Sequence, residues 1–145
     1  MTNELIEGIS IALGEEFGEA CGIHTEVIEQ NLEEPCFFIQ CLGPSRELIR
    51  GGRHQWTNPF CIQYFPQSKE HGRRECYDAA DRMMGRLERI AVCQTTIQGT
   101  KMRYELDTEA GILNYFVNYD CITAREEVSA FMDSLETRAE VKEGG

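Results

Sequence analysis

The sequence predicts an α+β fold: a single domain in which an antiparallel or mixed β-sheet carries two amphipathic helices packed on one face. Three observations predict it. Apolar residues recur at helical spacing in two stretches, one near the N-terminus and one beginning at about Arg73. Elsewhere, short apolar or alternating runs are bounded by Gly, Pro and acidic turns, as strands are. The connections are short, so antiparallel pairing is the natural result. The expected order is α-β-β-β-α-β-β-β. A chain of 145 residues makes one domain, large enough to bury roughly 70% of its unfolded surface.

The first helix is expected from about Asn3 to Phe17. Leu5, Ile6, Ile9, Ala12, Leu13 and Phe17 form its apolar stripe, Thr2 is the expected cap, and Glu4 and Glu7 suit the positive end of its dipole. Gly18 and Gly22 bracket the exit. A weakly alternating strand is expected over Ile23 to Ile28, then an acidic turn over Asn31 to Pro35. Cys36 to Leu42 is apolar on both faces and closes at Gly43-Pro44, which makes it a second strand.

Ser45 to His54 is polar, with Gly51-Gly52 and three arginines. It reads as a mobile hairpin tip, and partner contact is the sharper alternative. The third strand is expected over Gln55 to Phe65, with Pro59 implying an edge position or a bulge. Its large aromatic side chains fall on both faces. One face must meet the chain's own helix; the other needs a second layer or a partner.

The second helix is expected from about Arg73 to Ala91, with Cys76, Ala79, Ala80, Met83, Leu87 and Ile90 as its buried stripe. After a short segment, Val92 to Ile97, the run Lys101 to Asp107 alternates apolar against charged. The turn Thr108 to Gly111 joins it to a long final strand, Ile112 to Ile122. The main domain is placed at residues 1–123. Residues 124–145 form an acidic segment, partly helical or disordered: Thr123 to Glu126 has the form of a capping box, and fraying is expected from about Arg138.

Charge narrows the classes of function. The net charge is −11, from 25 acids against 14 bases. Residues 1–50 hold ten acids and two bases, residues 51–100 five and seven, and residues 101–145 ten and five. An acidic surface repels the phosphate backbone, which disfavours direct duplex binding. The basic middle, with Arg73, Arg74, Arg82, Arg86 and Arg89, reads first as a solvated helix face. Pairing with an acidic face of another copy is the sharper reading. There is no apolar run of membrane-spanning length and no basic signal-peptide start, so a cytoplasmic product is expected.

The seven cysteines show no C-x-x-C and no Cys/His pair at zinc-ligand spacing. Most fall in apolar runs, where reduced cysteine packs as a small hydrophobe. No phosphate loop, H-E-x-x-H or G-x-S-x-G occurs. A nucleophilic pair of Cys61 with His54 or His71 is conceivable, but a strand packed with aromatics blunts a thiol. No catalytic residue, cofactor site or metal site is assigned, and the chain is not expected to be an enzyme.

Four segments occur in order: Glu34-Pro35-Cys36-Phe37-Phe38-Ile39, Pro59-Phe60-Cys61-Ile62-Gln63-Tyr64-Phe65-Pro66, Gly99-Thr100-Lys101-Met102 and Phe116-Val117-Asn118-Tyr119. No single piece is specific; their order and spacing resemble the tail terminator family of tailed bacteriophages, as found in phages and prophages of Gram-positive bacteria. The likeness spans roughly residues 3 to 123. It implies a non-enzymatic subunit that forms a ring, usually of six, at the head-proximal end of a tail tube. Such a ring stops tube polymerisation and presents the surface joining tail to head. The implied partners are further copies of the chain, the tail tube protein and a head–tail connector protein. The setting is the host cytoplasm during assembly, then the virion tail. The candidate subunit contacts are Arg50, Arg53, Trp56, Arg82 and Arg86. The rival readings are another head–tail joining ring, such as a stopper or adaptor, a small cysteine-dependent enzyme, or an adaptor binding a host protein through the Ser45 to His54 tip.

Overall fold

The computed structural model describes residues 1–26 and 33–124. Its helices are α1 (Thr2–Phe17) and α2 (Gly72–Arg86). Its strands are β1 (Gly22–His24), β2 (Cys36–Cys41), β3 (Ser45–Ile49), β4 (Arg53–Thr57), β5 (Pro59–Phe65), β6 (Arg89–Val92), β7 (Thr95–Asp107), β8 (Ile112–Tyr119) and β9 (Cys121–Ala124). Six strands make one sheet in the order β1-β2-β5-β8-β7-β6, and β3-β4-β9 make a second. The β1–β2 pair is parallel and the others are antiparallel. The fold is the expected α+β class with a mixed sheet.

Both helices pack on one face of the large sheet. From α1 come Leu5, Ile9, Ala12 and Leu13; from α2 come Cys76, Ala79, Ala80 and Met83. Phe37, Ile39, Phe60, Ile62, Tyr64, Leu113, Tyr115, Val117 and Tyr119 meet them from the sheet. Each Leu, Ile, Val or Met among them, taken fully from water, contributes about 1.5–3 kcal/mol before the entropy of ordering is set against it. Phe17, Phe37 and Tyr64 pack edge-on and tilted where α1 leaves the sheet, with ring centroids 4.8 and 5.0 Å apart across the Phe37 pairs. The start of α2 is fixed by Glu75. Its carboxylate accepts from the Tyr64 hydroxyl at 2.7 Å and from the backbone amides of Gln67 and Ser68 at 2.7 and 2.9 Å.

Several boundaries differ from the sequence reading. Thr2 lies inside α1 and is not its cap; Met1 precedes the helix, and its amino group donates to Glu4 Oε1 at 2.7 Å. The second helix stops at Arg86, and Ile90 and Val92 are inward-facing positions of β6. At this exit the Leu87 carbonyl accepts from the Tyr119 hydroxyl at 2.6 Å, and the Glu88 carbonyl accepts from the Gly99 amide at 2.7 Å. The backbone acceptors that a further helical turn would use are engaged by strands. Gly99 permits the approach: a Cβ there would lie 2.8 Å from the Leu87 carbonyl oxygen.

The stretch read as a polar tip, Ser45 to His54, contains β3 and the start of β4. The strand expected from Gln55 to Phe65 is broken at Asn58, and that from Ile112 to Ile122 at Asp120. Pro59 sits on no edge. It is the first residue of β5, between β2 and β8, where a missing N–H is tolerated. β7 begins at Thr95, ahead of the expected Lys101, and carries an irregularity between Thr100 and Arg103. Thr123 and Ala124 belong to β9. The expectations for residues 27–32 and for those beyond Ala124, which include the C-terminal helix and nearly all of the acidic 124–145 segment, lie outside the described residues.

Candidate interaction surfaces

The two sheets are halves of one construction. β2 leads through Leu42-Gly43-Pro44 into β3, the chain reverses at Arg50–Gly52, and β4 returns through Asn58 into β5. The segment from Cys36 to Phe65 is therefore one long hairpin bent in the middle. β9 continues β8 past Asp120 and keeps the register, with Pro59 opposite Asn118 and Trp56 opposite Cys121. The three strands β2-β5-β8 thus run past the bend as β3-β4-β9. The distal part is an arm five residues long in β3 and β4, about 17 Å at the usual strand rise.

The bend is held from inside. Asn58 is fully buried; its Nδ2 donates to the Tyr119 carbonyl at 2.9 Å, while the Tyr119 amide donates to the Asn58 carbonyl at 3.0 Å. On the arm, Trp56 Nε1 donates to Thr123 Oγ1 at 2.9 Å, and the Arg46 guanidinium lies over the Trp56 ring, 5.4 Å from its centroid. Strand alternation puts Arg46, Leu48, His54, Trp56, Cys121 and Thr123 on one face. Leu48 is 68% exposed and Ile122, on the opposite face, 55%. Arg50 and Arg53 are exposed at the tip, where Gly51 and Gly52 take positive φ angles of 80° and 73°.

The second surface is the sheet face away from the helices. Strand alternation and register place Phe38, Gln40, Cys61, Gln63, Phe65, Asn114, Phe116 and Arg103 there. Gln63 Nε2 donates to Asn114 Oδ1 at 3.0 Å, Arg103 lies 4.1 Å from the Phe116 centroid, and Arg103 pairs with Glu105 at 2.8 Å. Among the described residues no helix or strand packs against this face, and its three phenylalanines are only half-buried. The aromatics on both sides of β5 therefore have one face in the core and one facing outward.

A family model described as phage tail terminator protein matches residues 4–130. The chain belongs to the phage tail terminator family. No curated protein matches it. This terminator-family chain is a structural component of a phage tail, in a family of structural proteins. The four segments that carried the resemblance fall mainly on β2, β5, β7 and β8, four neighbouring strands of the large sheet. That explains why no piece was specific alone: together they encode a sheet.

Of the residues singled out as subunit contacts, the terminator places Arg50, Arg53 and Trp56 on the arm. Arg82 and Arg86 have work inside the chain. Arg82 donates to Glu16 Oε2 at 2.9 Å and to the Glu16 carbonyl, and lies 4.1 Å from the Phe17 centroid. Arg86 donates to the Ala12 carbonyl at 3.3 Å and to the Glu15 carboxylate. The acidic end of α1 and the basic side of α2 are complementary, and the contact between them is intramolecular. Sequence reading missed the exposed Leu48 and Ile122; isolated apolar residues in polar surroundings were the only signal.

The thiols behave as packing. Cys21, Cys36, Cys61 and Cys76 are buried, and Cys41 and Cys121 half-buried. Burial pushes the Cys21 and Cys76 thiols up to about 11, and raises those of Cys36, Cys41, Cys61 and Cys121 as well. Cys61 stands on the outer sheet face opposite Gln40 and Phe116, whereas His54 belongs to the arm and His71 precedes α2. Among the described residues no hydrogen bond joins Cys61 to either histidine, and no group of three or more His, Cys, Asp or Glu comes together as a metal site. No helix among them is long and apolar enough to cross a membrane. A depression of about 450 Å³ lies between the start of α2 and the β7–β8 turn, lined by Phe65, Pro66, Lys69, Arg73 and Leu106 among others. Lys69 faces Glu34 at 3.4 Å on its rim.

Proposed function

We propose that this chain forms a ring, of six copies, at the head-proximal end of the tail tube. There it stops the tube from growing and presents the surface on which the head docks. The observation that carries the reading is the match to the terminator family over residues 4–130. The arm and the outward sheet face support it. A ring built by one repeated head-to-tail contact needs two different complementary surfaces on each copy. Exposed strand arms and half-buried aromatic faces are surfaces of that kind.

The partners in this reading are further copies of the chain, the tail tube protein and the head–tail connector protein, met in the host cytoplasm as the virion tail is built. A tube is an open head-to-tail polymer. It grows until its end is occupied by a surface that cannot propagate. The net charge of −11 suits a ring through which DNA passes without adhering. Within the proposed ring, Arg50, Arg53 and Trp56 contribute to contacts between copies, and Arg82 and Arg86 hold α1 to α2 in each copy.

The reading is tested by polymerising purified tail tube protein with and without this chain and measuring tube lengths by electron microscopy. Shorter tubes, each with one blunt capped end, are expected as the chain is added. Tubes of unchanged length with the chain bound at their ends would shift the role to head joining.

A further inference from the structure

We infer that the arm of one copy seats on the outer face of α1 of the next, with Leu48 against Ile11 and arginines against glutamates. This inference rests on the ring reading and names the two surfaces that would close it. Five large apolar side chains stand exposed among the described residues: Ile11, Leu42, Leu48, Tyr77 and Ile122. Tyr77 has an aromatic neighbour in Tyr104, 6.2 Å between centroids. Of the others, Leu48 and Ile11 sit in opposite charge settings.

Leu48, 68% exposed, lies between Arg46 and Arg50 along the arm, with Arg53 beside the tip. The arm segment 45–57 holds three arginines against the single Glu47, on a chain of net charge −11. Ile11, 54% exposed, lies between Glu7 and Glu15, one turn away on either side of the same helix face. Glu7 is exposed, and Glu15 is 60% exposed while shared with Arg86. The spacings agree as well as the signs. Glu7 to Glu15 spans about 12 Å of helix, and Arg46 to Arg50 spans about 13 Å of extended chain.

An apolar knob flanked by like charges, meeting its counterpart of opposite sign, fixes both register and direction. The acidic patch that complements the arm in charge and spacing stands on this chain itself, so the occupant assigned here is another copy of it. The two patches differ and lie on different elements, so the contact is head-to-tail and can close into a ring.

The test uses Leu48→Asp and Ile11→Asp, two exposed positions whose substitution leaves the core untouched, with thermal melts to verify folding. Ile11→Ala serves as a milder second variant. Sedimentation should show the wild-type chain assembled, and each Asp variant alone as a monomer, with the contact weakened roughly tenfold or more. An equal mixture of the two Asp variants should sediment as a two-chain complex and nothing larger, because one intact arm and one intact helix remain per pair. Assembly of either Asp variant like the wild type, or a mixture that stays monomeric, overturns these surfaces while leaving the ring. A wild-type chain that stays single at every concentration, alone and on purified tail tubes, removes the ring and this contact with it.

Discussion

Asn58 and Tyr119 fasten the arm to the body: the Asn58 amide nitrogen donates to the Tyr119 carbonyl at 2.9 Å, and the Tyr119 amide donates back to the Asn58 carbonyl at 3.0 Å. Asn58 stands between β4 and β5 and Tyr119 ends β8, so the pair sits where two strands change sheets. The Tyr119 hydroxyl also reaches the Leu87 carbonyl at 2.6 Å, which ties the bend to the end of α2.

Asn58→Ala removes a buried donor and leaves the Tyr119 carbonyl without it. A loss of about 1–3 kcal/mol in urea unfolding is expected, with amide exchange accelerated first in residues 53–57 and 121–124. Exchange accelerated evenly over the whole chain would contradict a local role at the bend.

The central sheet was legible because its strands carry a one-sided signal. Leu113, Tyr115, Val117 and Tyr119 alternate with Asn114, Phe116 and Asn118, and every inward position is buried. β3 was not legible for the opposite reason: four of its five residues are exposed, so no face is marked by hydrophobicity. β6 was absorbed into the second helix because Leu87 and Ile90 continue the stripe at a spacing of three. Its pairing with β7 across the two-residue Cys93-Gln94 turn decides against the helix, and neither turn residue, though both take positive φ, is the glycine or asparagine that usually marks such a hairpin. The breaks at Asn58 and Asp120 each fall on one polar residue within a strand-like run, and the bend they make is a tertiary fact. Of the candidate contact residues, the exposure of the tip arginines was legible, but that Arg82 and Arg86 meet Glu16 and Glu15 depends on how α1 and α2 pack.

Arg82 and Glu16 should behave as an intramolecular pair. Arg82→Glu sets like charges together and also loses the stacking on Phe17, for a loss of about 1 kcal/mol, since the pair is partly exposed. The charge-swapped double variant Arg82→Glu, Glu16→Arg should recover part of that loss in a double-mutant cycle. Strict additivity of the two single changes would show that the pair is not coupled.

Stability should fall at alkaline pH. In the unfolded chain a thiol ionises near 9, whereas Cys21 and Cys76 hold their protons to about 11 in the fold. Their contribution is complete below pH 9 and is lost as pH rises through about 11, because the unfolded chain releases protons first. Tyr64, Tyr115 and Tyr119, pushed above the ordinary range chiefly by burial, act in the same direction at higher pH. Urea midpoints measured from pH 8 to 11 should decline, and the decline should be shallower in Cys21→Ala, Cys76→Ala protein. A midpoint independent of pH would contradict the burial of these groups.

The arm tip should be the most trypsin-sensitive internal site of the isolated subunit. Arg50 and Arg53 are exposed around the Gly51-Gly52 turn, and both glycines hold conformations with few packing contacts. Assembly should protect this site if the arm lies on a neighbouring copy. Equal cutting rates in free and assembled protein would leave the tip a plain solvent loop.

The most direct measurement is electron microscopy of lysates from a phage deleted for this gene, with the wild-type copy supplied in trans as control. Loss of the chain should leave tube growth without a stop: tails of abnormal and variable length, beside filled heads that remain unjoined. Normal-length tails joined to filled heads in the deletion lysate would contradict the terminator role.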